Sequence, residues 1–168
     1  MSVTYTHPMS LPETIWEMLA RTLSAEPKID STRNTPEALK DLYQRHLAVV
    51  LMNGNDPVGF IAVWPVEPGF VEIGSVWVDK DFRGQGLSHQ IYDAVPGLPG
   101  IQNVIAFGVT TNPISVHVGE RVGLTIVEDW TTPVSWRLSC GPCEVVAPAD
   151  QPTCKKRNTS CWLRIIEK

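Results

Sequence analysis

Val71 to Ser88 runs VEIGSVWVDKDFRGQGLS, and this stretch decides the fold. Phe70 to Val78 is rich in β-branched and aromatic residues, the composition of a strand, whereas Leu87, Ile91, Ala94 and Val95 recur at helical spacing. The apolar period therefore changes across Arg83-Gly84-Gln85-Gly86, which makes that segment a bend joining a strand to a helix. Glycines at such a junction let backbone N–H groups come close to a ligand. The start of a helix adds partial positive charge, and together these favour a phosphate or pyrophosphate. Arg83 adds a full charge beside them. The plainer alternative is a glycine-containing loop with no ligand.

Two dinucleotide motifs are excluded by the residues around the bend. A P-loop needs Lys-Ser or Lys-Thr after its last glycine, and Gly86 is followed by Leu87 and Ser88. The NAD fingerprint needs a third glycine three places on, where this chain has His89.

Outward toward the N-terminus, Pro65 to Gly69 holds two prolines and a glycine and is expected to turn the chain into the Phe70 strand. Val58 to Trp64 and Ala48 to Met52 are expected to pair across Asn53-Gly54, a strong hairpin signal. Thr35-Pro36 opens a helix carrying Leu39, Leu42 and Tyr43, and Asp30 to Asn34 is a polar loop. An earlier helix carries Ile15, Met18, Leu19 and Leu23, with Ser10 and Glu13 at capping-box spacing. Its Trp16 and Met18 belong to that apolar stripe and so to the core, the alternative being the wall of an acceptor site. Val3 to Thr6 alternates as a short first strand.

Toward the C-terminus, the helix after the bend is expected to stop at Pro96 and Gly97. Val104 to Val109 is a strand. Asn112-Pro113 opens another helix, with Ile114, Val118 and Val122 on one face and Gly123 at its end. Leu124 to Arg137 is expected to be strand with a break near Pro133. The result is a mixed α/β sheet with helices on its faces. A length of 168 residues suits one domain with a real core, and a net charge of −4 argues against wholesale binding to nucleic acid or anionic membrane. No apolar run is long enough to span a bilayer, and the first residues lack a secretory pattern, so a cytoplasmic location with reduced cysteines is expected.

The bend, with Arg83, Gly86 and Ser88 at their spacing, resembles the acyl-coenzyme A loop of the GNAT superfamily of N-acyltransferases. EIGSVWVDKDFRGQG resembles that family's fourth strand and loop, and Asn112-Pro113 followed by GERVGL resembles the segment after its fifth strand. Ser88 stands where the family usually has Gly or Ala. The resemblance covers roughly residues 1–137. It implies an α/β fold (α+β in some schemes), built on a mixed, mostly antiparallel sheet with helices on both faces and a splayed strand pair holding the coenzyme A arm.

It also implies transfer of an acetyl group from acetyl-coenzyme A to an amine on a small molecule or protein. The pyrophosphate would lie on Arg83, Gly84, Gln85, Gly86, Leu87 and Ser88, and the pantetheine arm on backbone near Val76 and Val78 and on Asn112. Asn112 also suits a helix cap. Glu72 stands where many relatives carry the carboxylate that deprotonates the amine. Its other reading is a solvent-facing strand residue. Relatives usually place a tyrosine, which protonates the departing thiolate, where this chain has Gly119. A glycine inside a helix costs about 1 kcal/mol against alanine, so close approach of another group is expected there. Ser115 and His117 are weak substitutes, and Gly119 keeps open a non-catalytic coenzyme A-binding or interaction protein.

All the cysteines lie near the C-terminus: Cys140, Cys143, Cys154 and Cys161. Four thiolates would close one structural zinc ion and pin a tail with few apolar residues, though the spacing after the C-x2-C pair is looser than in a standard zinc ribbon; unbound thiols come next and disulfides last. Prolines at 148 and 152 oppose the helix that a redox CGPC needs. Lys155, Lys156 and Arg157 between the second pair make contact with nucleic acid or a partner protein the rival role. The expected organisation is an acyltransferase domain over 1–137, and a hairpin over 138–168 that carries the cysteines and completes the same domain.

Overall fold

The computed structural model describes residues 3–5, 10–26, 29, 33–127, 134, 138–139, 146–147, 153–154 and 161–166. In chain order the main elements are β1 (Val3–Tyr5), α1 (Glu13–Ala25), α2 (Pro36–Gln44), β2 (Ala48–Asn53), β3 (Asp56–Glu67) and β4 (Phe70–Val78). There follow α3 (Leu87–Ala94), β5 (Ile105–Thr110), α4 (Pro113–Glu120), β6 (Thr125–Ile126), β7 (Val146–Ala147), β8 (Thr153–Cys154) and β9 (Trp162–Ile166). Seven strands form one sheet in the order β1-β2-β3-β4-β5-β9-β6, and β7 pairs with β8 apart from it. Every neighbouring pair in the sheet is antiparallel except β4 and β5.

The central strands are apolar because helices cover them on both faces. Ala48 to Met52 of β2 and Pro57 to Val63 of β3 are buried without alternation. Ile15, Trp16, Leu19 and Leu23 of α1 are buried, and Trp16 packs on Tyr43 of α2 with ring centroids 5.2 Å apart, so the apolar stripe is core. Met18 packs partly buried against the same cluster.

Several boundaries differ from the sequence expectation for local reasons. Helix α1 starts at Glu13 with Pro12 at the cap position, whose side chain can accept no hydrogen bond, and the Glu13 carboxylate accepts from Lys40 of α2 at 2.5 Å. Strand β3 runs on through Pro65, which pairs with Val71, so the turn shrinks to Pro68-Gly69. Ile114 is two-thirds exposed, at 66%, while Val118 beneath it is buried. Beyond β6, most of the strand expected to Arg137 lies outside the described residues. Thr35 caps α2 as expected, accepting from Ala38 N–H at 3.2 Å.

Register assigns the two faces of the sheet. Trp64 and Glu72 pair, as do Ala62 and Gly74 and Phe60 and Trp77, which places these residues on one face. Gly59, Ile73, Ala106, Gly108 and Arg164 fall on the other, where α3 and α4 lie: a methyl on Gly59 would press on Ile91, and one on Gly119 would collide with Arg164.

Candidate active site

Strands β4 and β5 pair only at Phe70/Ile105, Val71/Ala106 and Glu72/Phe107. Past Glu72 each keeps its outer partner, β3 for β4 and β9 for β5, and the two diverge. Two features force the divergence. Ser75 has φ +51, and the β3–β4 register shifts there, which kinks β4. Gly108 sits at the fork, where a Cβ would lie 2.9 Å from the Ile73 carbonyl oxygen, so only glycine lets the strands meet there before parting. The kink is secured by Ser75, whose hydroxyl donates to Asn34 Oδ1 at 2.9 Å with both residues buried.

The fork opens into a cleft of about 1120 Å³ that reaches both faces of the sheet and ends at the glycine bend. Gly84 and Gly86 have φ of +78 and +80 and open space where a Cβ would stand. Among the described residues, the backbone N–H groups of residues 84 to 88 donate to no protein group, so they are available at the start of α3. That arrangement fits a pyrophosphate. Arg83 donates through Nε to the Val78 carbonyl at 3.0 Å and pairs with Glu26 at 3.1 Å, which braces the bend against the end of α1. The Leu87 side chain is buried, leaving only its backbone for a ligand, and Gln85 turns back toward the Asp81 carbonyl at 3.4 Å. Gly84, Gly86, Leu87 and Ser88 line the cleft.

Val76 and Val78 line the same cleft from the splayed part of β4, with Val109 and Ile114 exposed in it. Asn112 caps α4, accepting from Ile114 N–H through Oδ1 at 3.1 Å, and also borders the cleft. Glu72 lies at the mouth of the fork. Both its oxygens are held by Arg33, at 2.6 and 2.9 Å, and the Arg33 guanidinium stacks over Trp64 at 4.7 Å from the ring centroid. Glu72 is therefore held by a bidentate partner rather than left free in solvent.

The wall on the α4 side was not legible beforehand. Arg164 of β9 is 1% exposed and lines the cleft. Its Nη1 donates to the Ser115 carbonyl at 2.6 Å and occupies the space above Gly119. The close approach expected at Gly119 is thus made by a guanidinium. Tyr92 of α3 and Ser115 share a 2.6 Å hydrogen bond on the same wall, whereas His117 points to solvent.

Of the four cysteines expected to bind zinc, Cys140 and Cys143 lie outside the described residues, as does the side chain of Cys154. Cys161 is half-buried just ahead of β9 and borders the cleft. Among the described residues no group of three or more His, Cys, Asp or Glu side chains is placed to hold a metal. No helix among them is long and apolar enough to cross a membrane.

A forked parallel pair beside a glycine bend that presents free amides at a helix start defines an acyltransferase of the kind that takes its acyl group from coenzyme A. A family model described as the acetyltransferase (GNAT) family matches residues 13–123, and the chain belongs to that family, acetyl-coenzyme A dependent N-acetyltransferases by class. Solved structures agree on the fold. Diaminobutyrate acetyltransferase EctA from Paenibacillus lautus, in complex with L-2,4-diaminobutyric acid and coenzyme A, superposes with a TM-score of 0.65 at 13% identity over 98% of this chain and 94% of its own. Ard1 from Thermoplasma volcanium gives 0.59 at 17% identity over 100% of both chains. A GNAT acetyltransferase from Elizabethkingia anophelis with acetyl-coenzyme A bound gives 0.54 at 13% over 99% and 98%. No curated protein sequence matches.

Proposed function

We propose that this protein transfers the acetyl group of acetyl-coenzyme A to an amine-bearing acceptor inside the β4–β5 fork. The observation that carries this reading is the divergence of β4 and β5 past Glu72 and Phe107 into a cleft that ends on unpaired N–H groups. The amides of residues 84 to 88 and the dipole of α3 take the pyrophosphate. Backbone at Val76 and the apolar surfaces of Val109 and Ile114 flank the pantetheine arm, with Asn112 at its side.

Acetyl-coenzyme A supplies a carbonyl carbon with a good leaving group, so the protein needs to position an amine and remove its proton. Glu72 takes that proton, directly or through water, once one of its oxygens turns from Arg33; its position at the mouth of the fork supports this reading. Arg33 and Trp64 hold the carboxylate at the mouth of the fork, where an acceptor enters.

Calorimetry with acetyl-coenzyme A and a thiol-release assay across amines, peptides and aminoacyl compounds test this directly. Micromolar binding with turnover of at least one amine class is expected, and absence of binding at millimolar ligand rejects the reading. Binding without release from any acceptor would mark a coenzyme A-binding module instead. For the cysteines, the C-x2-C pair and a stretch from Glu144 to Ser160 with too few apolar residues to pack support one structural zinc held by Cys140, Cys143, Cys154 and Cys161, and elemental analysis of chelator-free protein checks it: less than about half an equivalent rejects the site.

A further inference from the structure

We infer that Arg164 is a catalytic residue, the cation that receives the coenzyme A thiolate as it leaves. This rests on the proposed acetyl transfer and adds the group that stabilises the departing sulfur. Arg164 is 1% exposed and takes part in no ion pair among the described residues. Its protein partner is the neutral Ser115 carbonyl, and Nε is buried with no hydrogen-bond partner. A fixed positive charge held this way is costly unless an anion completes it, and the guanidinium faces a ligand cleft. The fold makes room for it at Gly119, where a Cβ would collide with Nη1, and Gly108 stands opposite Arg164 in the β5–β9 ladder.

The faces of the sheet say which anion. Glu72, Arg33 and Trp64 occupy the face on which the acceptor amine gives up its proton, and Arg164 lies on the opposite face, beneath α4. In the transfer, the acceptor nitrogen forms a bond to the acetyl carbon and the carbon–sulfur bond breaks. The bonding pair goes to sulfur, the amine proton goes to Glu72 and on to solvent, and the thiolate pairs with Arg164 until water protonates it. A guanidinium donates no proton here; it lowers the energy of developing negative charge. Other titratable side chains that line the cleft are Tyr92, hydrogen-bonded to Ser115, His89 of α3 and Cys161 ahead of β9, and all of them face both ligands alike.

The test is proton release on binding, measured by calorimetry at about pH 8 in buffers of different ionisation heat, with coenzyme A and with desulfo-coenzyme A, which shares every phosphate but lacks the thiol. A cation at the sulfur lowers the thiol's pKa on binding. The intact protein should therefore release more protons with coenzyme A than with the desulfo compound, and its preference for coenzyme A should grow up to about tenfold per pH unit. Arg164→Met should abolish the extra release while binding acetyl-coenzyme A within about threefold of the intact protein, and should slow acetyl transfer about a hundredfold. Arg164→Lys should keep part of both. Equal release with the two ligands overturns the assignment without need of any variant. Extra release that survives Arg164→Met also overturns it. A protein that binds acetyl-coenzyme A but shows neither effect leaves acetyl transfer standing and rejects Arg164, whereas failure to bind acetyl-coenzyme A rejects both.

Discussion

Arg33 and Glu72 form a bidentate pair across the connection between α1 and α2 and the fourth strand, with N–O distances of 2.6 and 2.9 Å. Their side chains are 26% and 21% exposed, so the pair is screened from most solvent yet open to an entering acceptor. In the proposed transfer, an acceptor amine would compete with Arg33 for the carboxylate, which would make the arginine a gate on the proposed base. Glu72→Gln should lower the transfer rate about a hundredfold or more and leave acetyl-coenzyme A affinity unchanged. An unchanged rate with an unchanged pH profile removes Glu72 from the mechanism.

Arg33→Ala should separate binding from folding. The pair is partly exposed, so its loss should cost about 1 kcal/mol in a denaturant melt. The larger effect should fall on the acceptor's KM, measured by steady-state kinetics, because the Glu72 carboxylate then loses the partner that holds its orientation.

Gly86→Val tests the bend. A β-branched residue at φ +80 adds about 1–2 kcal/mol of strain and crowds the amides of the first turn of α3. Coenzyme A affinity should fall at least tenfold by calorimetry while the circular dichroism spectrum of the sheet persists.

Ser75→Ala should loosen the kink of β4. The lost hydrogen bond joins two buried residues, so destabilisation of about 1–2 kcal/mol is expected by chemical denaturation. Because the kink opens the fork, coenzyme A binding should weaken in parallel.

Gly119→Tyr should show that the phenol and the guanidinium exclude each other. The new side chain meets Arg164 and lies 3.0 Å from Leu124 already at its Cβ, for a cost of about 2–3 kcal/mol. Combined with Arg164→Ala, the double variant should lose less than the sum of the singles by about 1 kcal/mol or more, measured as a double-mutant cycle.

The strand-bend-helix unit at 71–88 was legible because it rests on local signals: a change of apolar period, and glycines where φ is positive. The Asn53-Gly54 hairpin and the Thr35 and Asn112 caps are local in the same sense. Arg33 and Arg164 were not legible. Arg33 lies in a polar segment with no pattern of its own and gains meaning only from Glu72, far along the chain. Arg164 had one usable signal, a charge at the centre of the apolar strand WLRII, but its partners come from β5 and α4. Gly119 showed only that something must come close.

Strand β9 bears on how the protein is made. Residues 162–166 slot between β5 and β6, so that Thr110 pairs with Trp162 and Ala106 with Ile166. A ribosome-bound chain that has not yet reached Trp162 can assemble β2, β3, β4 and the glycine bend through near-neighbour contacts, but it leaves β5 with its far edge bare and sticky. The wall bearing Arg164 is synthesised only well after β5, the strand it pairs with. With the pyrophosphate on the bend and the sulfur at Arg164, as proposed, coenzyme A would grip the nascent chain by its phosphates before the thiol end has anywhere to lie, and high affinity for the thiol form would mark a chain whose translation has passed β9.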